Sequence, residues 1–310
     1  MRIAITGAAG LVAQNLILRL KARGGYEIVG IDKHAANAHI LRELHPDIQV
    51  VVADLAEPGE WQASLDGVEA VVVAHAQIGG LQEEEFHRNN VAATERLLDA
   101  IAKRGGCRLV HISSSVVNSA AVDWYTETKK AQEQLVLASG NPCVVLRPTL
   151  MFGWFDRKHL GWLARFMQRA PAFPVPGHGR YLRQPLYAGD FCAVIAACLE
   201  RRLGDGAQYD ITGQERIDYI DLIRTVRAAC NARTPIIRVP YGVFWLMLRT
   251  YALFDRDPPF TTKQLEALVT PDIFHVIDWP GIFGVRATPL REAMEETFRH
   301  PRYASVALEF

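Results

Sequence analysis

Residues 2–20, RIAITGAAGLVAQNLILRL, decide the fold. The apolar run at 2–5 predicts a buried strand, and the apolar residues at positions 11, 12, 16, 17 and 20 have helical spacing. Gly7 and Gly10 therefore lie at a strand-to-helix turn, where glycine lets a ligand approach the main chain closely. The free N–H groups and the dipole of a helix N-terminus favour an anion. We therefore predict a phosphate-binding turn at this point.

Two other interpretations of this stretch are weaker. A secretory signal peptide also combines an early basic residue with an apolar stretch. Here Thr6, Gln14 and Asn15 interrupt the apolar run, and Arg19 and Lys21 follow where a small-residue cleavage site would be expected. A turn of purely structural importance stays open until the rest of the unit is considered.

The composition is that of a globular protein without a basic excess. The 310 residues suit one large domain or two fused ones. Because 34 Lys and Arg balance 34 Asp and Glu, a general nucleic-acid partner is disfavoured. No apolar run reaches transmembrane length. The nearest, Val243–Phe254, is interrupted by Arg249, and we expect an amphipathic helix in a core or groove rather than an interfacial membrane contact.

The cysteine pattern indicates neither a disulfide framework nor a metal site. The five cysteines are odd in number and widely spaced, without a CxxC or a Cys/His cluster of zinc spacing. Reduced, mostly buried thiols are the simplest expectation, and they favour a cytoplasmic location.

Strand-like and helix-like segments alternate through the first half of the chain. This order predicts right-handed crossovers and an α/β fold, a Rossmann-type doubly wound parallel sheet with helices on both faces. After Pro148, proline, glycine and aromatic residues become frequent, which predicts a smaller C-terminal substrate-binding region. We expect a dinucleotide-binding domain at 1–152, rejoined at about 184–205, and a mainly substrate-binding region at 153–310. The predicted strands are 2–5, 27–31, 49–52, 70–73, 108–112 and 143–146, and the predicted helices are 11–20, 91–103 and 123–138.

Asp32 ends the second predicted strand and favours NAD as the cofactor. A Rossmann fold places an acidic residue here to hydrogen-bond the adenosine ribose hydroxyls. Lys33 and His34 could instead receive a 2′-phosphate, so NADP stays open, although the carboxylate repels that group. Ala13 stands where a full turn motif has its third glycine, and alanine is small enough for close helix–strand packing.

Tyr125 and Lys129 are the predicted centre of acid–base chemistry. At a separation of four residues, their side chains share one face of a helix. An ammonium beside a phenol stabilises the phenolate and lowers its pKa from about 10. Such a tyrosine can exchange a proton with a substrate hydroxyl or carbonyl while hydride passes to or from a nicotinamide. Ser114, with Ser115 as the fallback, follows the fifth strand and would orient the same oxygen.

These segments together resemble the short-chain dehydrogenase/reductase family, and within it the extended and atypical branches that include nucleotide-sugar epimerases, dehydratases and reductases. TGAAGLVA at 6–13 resembles the family's TGxxGxxG turn, and HISS at 111–114 resembles its fifth-strand motif. RQPLYAGD at 183–190 and FGVRATPL at 283–290 resemble segments nearer the C-terminus. The resemblance covers nearly the whole chain.

The resemblance implies roles for individual residues. Ser114, Tyr125 and Lys129 would be catalytic. Arg183 would meet a substrate phosphate, with Arg180 and Ser115 as further substrate contacts. The implied cofactor-binding residues are Gly7, Ala9, Gly10, Leu11, Val12, Asp32, Lys33, Asp54, Leu55, Ala74, His75, Ala76, Asn90, Ile112, Tyr125, Lys129, Pro148 and Thr149.

The favoured function is that of an NAD(P)-dependent epimerase, dehydratase or reductase acting on a hydroxyl or keto group. Arg183 favours a nucleotide sugar as the substrate. Asn118, Ser119 and Thr126 depart from the pattern of sugar-nucleotide epimerases and leave the substrate open. One alternative is a dinucleotide-binding protein without turnover that supports an assembly or senses redox state. Another is a reductase of a lipid, sterol-like or aromatic substrate, which the apolar segment 243–254 keeps open. The sequence is also compatible with a homodimer.

Overall fold

The computed structural model describes residues 1–119, 122–201, 205–254, 261–270 and 274–309. The strands are β1 (Arg2–Thr6), β2 (Glu27–Asp32), β3 (Gln49–Val52), β4 (Ala70–Val73), β5 (Arg108–Ile112), β6 (Cys143–Pro148), β7 (Met151–Phe152), β8 (Phe173–Pro176), β9 (Leu182–Arg183), β10 (Leu186–Tyr187), β11 (Ala207–Ile211), β12 (Ile217–Asp218) and β13 (Ile236–Val239). The α-helices are α1 (Leu11–Arg23), α2 (Ala35–Leu44), α3 (Glu83–Phe86), α4 (Ala93–Ala102), α5 (Trp124–Ala138), α6 (Leu160–Arg169), α7 (Ala188–Glu200), α8 (Tyr219–Ala229), α9 (Tyr241–Tyr251), α10 (Thr262–Val269), α11 (Trp279–Phe283) and α12 (Leu290–Arg299). A π-helical turn, His87–Ala92, joins α3 to α4, and 3₁₀-helices span Glu60–Leu65 and Ser115–Asn118.

Seven parallel strands form the central sheet in the order β3-β2-β1-β4-β5-β6-β11. The first six strands have the order of a Rossmann dinucleotide-binding fold, with the switch point between β1 and β4. The predicted doubly wound α/β fold is confirmed. All six predicted strands are present, and the three predicted helices correspond to α1, α4 and α5. The start of the predicted helix at 91–103 is the end of the π-helical turn.

Both faces of the central strands are covered, which fits the apolar residues in the middle of those strands. Ile3 and Ile5 of β1 belong to the core formed with α1 and α7. Ala4, which points to the opposite face, belongs to the core that includes Leu97 of α4 and Val136 of α5. A parallel sheet buried in this way brings the carboxyl ends of its strands to one edge, where ligands bind.

The second half of the chain contributes both to a smaller second core and to the central sheet. That core joins β8 with α6, α8 and α12 through Phe173, Met167, Val226 and Met294. Helix α7 then packs against α1, and β11 pairs in parallel with β6. The contribution to the sheet therefore includes β11, which lies beyond the span of about 184–205 expected from the sequence.

The apolar segment 243–254 forms α9 and the turn that follows it. The expectation that this segment packs in a core or groove is wrong for its outer side, because Leu246 and Met247 are 60% and 53% exposed. Phe244 is the buried residue of this helix. The physical reason is that apolar residues occur on both sides of α9, and the side that carries Phe244 is buried while the side that carries Leu246 and Met247 is not.

The described residues include all five cysteines. All five cysteines are free thiols, and four of them are buried. In the described ranges, no group of His, Cys, Asp and Glu side chains could hold a metal ion. None of the helices within those ranges is long and apolar enough to cross a bilayer.

Candidate active site

The glycine turn leaves the N-terminus of α1 accessible to a ligand. Gly7 has a φ of 64°. A Cβ atom at this position would lie 2.8 Å from Cα of His75 and 2.9 Å from the carbonyl oxygen of Ala74, so only glycine fits. In this part of the chain, which the structure describes without gaps, the first turn of α1 has no acidic residue and no side-chain cap. The exposed N–H groups and the helix dipole fit the pyrophosphate of a dinucleotide.

Asp32 lies at the C-terminal end of β2, beside the glycine turn. Its carboxylate accepts hydrogen bonds from the backbone N–H groups of Ala9 at 2.9 Å and His34 at 2.8 Å. These bonds fix the carboxylate where a ribose contact is predicted. The Lys33 ammonium donates to the side-chain oxygen of Asn89 at 2.7 Å, so Asn89 holds the neighbouring cation.

Two segments distant in sequence border the same edge. Burial lowers the pKa of Arg157, and the nearby Asp32 carboxylate opposes this effect, which places a cation close to the ribose position. Asn37 of α2 exchanges hydrogen bonds with the backbone of Glu309 at 2.8 and 3.1 Å. The C-terminal segment therefore lies on α2, a contact that no local sequence signal indicates.

Asp54, which follows β3, is held in an ion pair. Its Oδ2 lies 2.6 Å from a guanidinium nitrogen of Arg88, and its Oδ1 accepts the N–H of Ala56 at 2.9 Å. Burial raises the pKa of Asp54, but the bonds from Ala56 and Arg88 lower it, and the net effect is a lowered pKa. The predicted cofactor-binding residues Asp54 and Leu55 are thus a fixed carboxylate followed by a buried side chain.

Buried polar side chains connect the end of β4 with α4 and α5. His75 Nδ1 lies 2.8 Å from Thr6 Oγ1, and its Nε2 lies 3.0 Å from Thr94 Oγ1. Gln132 Nε2 donates to the same Thr94 hydroxyl at 3.0 Å. Burial, with a smaller effect of the Lys129 charge, lowers the pKa of His75 to about 3. The ring is therefore neutral near pH 7.

Asn90 braces the loop after β4 against α5. Its Oδ1 accepts the backbone N–H of Gln77 at 2.6 Å, and its Nδ2 donates to Thr128 Oγ1 at 3.0 Å. The side chain is fully buried. Asn90 therefore shapes the loop that carries the predicted cofactor residues Ala74 and Ala76.

Lys129 is buried, and its ammonium is held on two sides. Nζ donates to the carbonyl of Ile112 at 2.9 Å and to Oε1 of Gln132 at 2.5 Å. Because an ammonium has three N–H donors, these two bonds leave one for a further partner. Burial lowers the pKa of Lys129 to about 7, although the nearby Glu133 opposes this shift. Lys129 therefore changes charge near neutral pH.

Ser114 and Tyr125 meet at the carboxyl end of β5. A side-chain hydrogen bond joins them. The expectation of a lowered Tyr125 pKa is wrong for this structure, since burial raises the pKa, the bond to Ser114 lowers it, Asp123 raises it, and the net effect is a rise. The physical reason is that the phenol is buried, and its desolvation outweighs the hydrogen bond from Ser114.

The neighbouring serines have different surroundings. Ser113 Oγ donates to Glu133 Oε2 at 2.6 Å, and Glu133 also forms a buried ion pair with Arg147 of β6. This cluster fixes the ends of β5, α5 and β6 together. Ser115 begins a 3₁₀-helix and is half-buried, so it remains a candidate substrate contact.

Thr149 follows Pro148 at the end of β6. Its backbone N–H donates to the carbonyl of Ile211 at 3.1 Å. Its hydroxyl is buried and has no hydrogen-bond partner among the described residues. Since buried hydroxyls are nearly always paired, this position fits a contact to a bound group such as the nicotinamide half of the cofactor.

Arg183 is buried in the interface between β9 and α10. Its guanidinium donates to the carbonyls of Leu182 at 2.8 Å and Thr270 at 2.9 Å, and also to that of Leu268. Leu268 and Thr270 lie at the C-terminal end of α10, where a helix attracts a cation. Arg180, in contrast, is exposed. The roles of both arginines in substrate binding remain predictions.

Gln132 and Glu133 belong to this buried network, although they are not among the residues predicted from the sequence. Gln132 and Glu133 follow Lys129 by three and four residues, so all three share one side of α5. Several polar residues on the buried side of an otherwise ordinary helix are the signal that would have indicated an internal network.

A dinucleotide turn, an acidic residue at the end of β2 and a Ser/Tyr/Lys cluster at the carboxyl edge define an extended short-chain dehydrogenase/reductase. The chain belongs to the NAD-dependent epimerase/dehydratase family, whose model matches residues 3–212. As a member it is an NAD-dependent enzyme, and its relatives are dehydrogenases, epimerases and reductases.

Individual relatives differ in the substrates that their names state. The chain is 27% identical over 281 residues to a 3 beta-hydroxysteroid dehydrogenase/Delta 5→4-isomerase of Mycobacterium tuberculosis, covering 79% of this chain and 74% of the relative. It is 25% identical to a ceramide reductase of Caulobacter vibrioides, covering 77% and 73%. It is similar in fold to the UDP-glucuronic acid 4-epimerase of Bacillus cereus solved with UDP-glucuronic acid and NAD, with a TM-score of 0.73, 21% identity, and coverage of 96% and 98%.

Proposed function

We propose that the protein is an NAD-dependent dehydrogenase or reductase that interconverts a secondary alcohol and a ketone on an apolar, lipid-type substrate. The observation that carries the proposal is the hydrogen-bonded pair of Ser114 and Tyr125, one helical turn from the buried Lys129. This pair lies at the carboxyl edge of the sheet, at the same edge as the glycine turn.

The residues at this edge fit NAD. The N-terminus of α1, with the turn at Gly7 and Gly10, would hold the pyrophosphate, and Asp32 would hold the adenosine ribose. Lys129 has one donor left for the nicotinamide ribose, and the buried hydroxyl of Thr149 would face the nicotinamide half. The cofactor supplies hydride transfer when it is bound.

Tyr125 would move the proton. Because burial raises the pKa of Tyr125, the phenol is protonated near pH 7, which is the form that protonates a substrate carbonyl during reduction. The Ser114 hydroxyl would bond the same substrate oxygen and orient it. The Lys129 ammonium, in its charged form, would stabilise the phenolate that remains.

The state of Arg183 favours an uncharged substrate. A substrate phosphate would need the guanidinium, but that group is buried and donates to three backbone carbonyls. Breaking those bonds would leave carbonyls of α10 without their cation, at a cost of roughly 1.5–3 kcal/mol for each bond to a charged group. The steroid dehydrogenase and the ceramide reductase named above support an apolar substrate.

A nucleotide sugar is the second candidate. It is favoured by the position of Arg183 within RQPLYAGD and by the exposed Arg180 three residues earlier. If Arg183 exchanges its carbonyl partners for a phosphate, two parallel N–H donors become available to that group.

One experiment separates the two substrate classes. The purified protein is incubated with NAD and a panel of 3-hydroxysteroids and long-chain alcohols, with NADH and the matching ketones, and with UDP- and dTDP-sugars. Production or consumption of NADH follows oxidation and reduction, and chromatography of the sugars follows epimerisation. We expect turnover with the apolar panel.

Two variants test the assigned roles. Tyr125→Phe should reduce turnover by about 100- to 10,000-fold while NADH affinity stays within about twofold, because one hydroxyl is lost. Arg180→Ala should leave steroid or alcohol turnover unchanged. Turnover restricted to nucleotide sugars would favour the second candidate, and full activity of Tyr125→Phe would overturn the catalytic assignment.

A further inference from the structure

The outer face of α9 is an exposed apolar stripe. We define it by Val243, Leu246, Met247 and Phe254, which are 51%, 60%, 53% and 88% exposed. At about 100° per residue these four side chains fall on one side of the helix and its terminal turn. Leu253, beside them, is 80% exposed.

This stripe offers solvent almost no polar group. Thr250 lies within it, and its hydroxyl donates to the carbonyl of Leu246 on the same helix. The polar atoms of the outer face are therefore already satisfied internally. Covering such an apolar surface with apolar material removes it from water, which is favourable in free energy.

The opposite side of α9 is already occupied. Phe244 is buried, Trp245 and Leu248 are half-buried, and α9 contacts α10 on this side. The outer face is thus the side of α9 that the described fold leaves uncovered.

The sequence around the stripe has a basic excess. Residues 231–257 include four arginines and two aspartates, and Arg233, Arg238 and Arg249 are exposed. The guanidinium of Arg249 lies over the Trp245 ring at 5.6 Å, beside the helix. Because the whole chain has a formal charge of zero, this concentration of positive charge is local. Cations that flank an apolar helix face suit the anionic headgroups of a lipid bilayer.

A second copy of the chain fits this surface less well. In a two-fold dimer the same patch faces itself, which would bring the arginines of both copies close together. Like charges at such an interface weaken the association. An anionic lipid surface has the opposite charge and the same apolar interior.

We propose that the outer face of α9 inserts at the boundary between headgroups and acyl chains of an anionic bilayer, with the helix parallel to the membrane plane. The contact is peripheral and goes beyond the proposed function, since membrane binding requires no particular substrate. It would place α10, and with it the Arg183 that bonds to the end of α10, close to the lipid surface.

The test uses the full chain and vesicles. Co-sedimentation is measured with vesicles of phosphatidylcholine alone and of phosphatidylcholine mixed with phosphatidylglycerol. We expect binding to the mixed vesicles that weakens as salt is raised. Leu246→Ser with Met247→Ser should reduce binding by at least about tenfold, since each buried methylene contributes roughly fourfold. Arg238→Gln should reduce it by about fivefold.

Ile282→Ser is the matched control, because Ile282 is an apolar residue of α11 with 41% exposure. It should bind vesicles as the unmodified protein does. All variants should have unchanged NADH affinity and thermal melting, which shows that they are folded. The proposal is overturned if the protein does not bind mixed vesicles, if it binds both vesicle types equally, or if the double variant binds as well as the control. It is also overturned if sedimentation velocity shows a dimer that the double variant dissociates.

Discussion

Gln132 should control the charge of Lys129. Its Oε1 accepts a hydrogen bond of 2.5 Å from the Lys129 ammonium, and the lysine is only 1% exposed. Burial is the main reason that the Lys129 pKa is about 7, and an acceptor bonded to the ammonium favours the charged form. Gln132→Leu removes that acceptor at similar side-chain volume. We therefore expect the Lys129 pKa to fall further.

The magnitude follows from the strength of the lost bond. A hydrogen bond to a charged group contributes about 1.5–3 kcal/mol, and one pKa unit corresponds to about 1.4 kcal/mol. Gln132→Leu should thus lower the Lys129 pKa by roughly one to two units. Gln132→Glu places a carboxylate at the same position and should raise it. A site that merely loosened would admit water and raise the pKa in both variants.

The assay is an NMR titration of protein with ¹³C-labelled lysine, in which Lys129→Met identifies the signal. It requires neither substrate nor turnover, so it is independent of the proposed function. Equal pKa values in the unmodified protein and both variants, or shifts of the same sign in the two variants, would refute the role of Gln132. If the assignment holds, the pH limb of kcat/KM that reports the ammonium should move in the same directions.

Three further predictions concern the cofactor turn and the buried lysine. Gly7→Ala should lower the free energy of unfolding in urea by more than about 3 kcal/mol, through positive φ and a clash with the His75 backbone. Gly24→Ala, with φ 74°, ψ 175° and open space, should cost only its backbone strain of about 1–3 kcal/mol, and equal losses would exclude the clash. Asp32→Ala should weaken NADH binding and reduce the ratio of NADH affinity to NADPH affinity in fluorescence titrations. If the unmodified protein binds NADPH more tightly than NADH, the predicted ribose contact is contradicted. The Lys129 pKa is lowered from 10.5 to about 7, so the unfolded state binds more protons between these values and the stability of the protein rises with pH there. The free energy of unfolding of Lys129→Met, relative to that of the unmodified protein, should therefore be highest below pH 7 and should fall towards pH 10.5. Urea unfolding across this pH range measures the difference.

The sequence by itself determined the features that depend on neighbours along the chain. The apolar run at 2–5, the glycines at 7 and 10 and the helical spacing that follows them require only local geometry, and the structure has β1, the turn and α1 at those positions. The carboxylate of Asp32 at a strand end, and Tyr125 with Lys129 on one helix, follow from the same local rules. Alternation of such units was enough to predict the parallel sheet.

The tertiary structure decided what each of these side chains meets. The phenol of Tyr125 is buried, so its pKa is raised rather than lowered, and the Lys129 ammonium bonds to Gln132 and to a β5 carbonyl. Arg183 bonds to the carbonyl of Thr270, 87 residues away in sequence, which changes the interpretation of a motif that suggested a phosphate.

Burial on α9 depends on the same kind of information. Its sequence is mostly apolar, although Arg249 interrupts it, and it predicts a helix that packs in a core or groove. Only the packing of α10 shows which side is covered and that Leu246 and Met247 are left exposed. The physical reason is common to all three cases. Desolvation, and the pairing that offsets it, depend on groups brought together from distant parts of the chain, and the order of residues along the chain does not encode those distances directly.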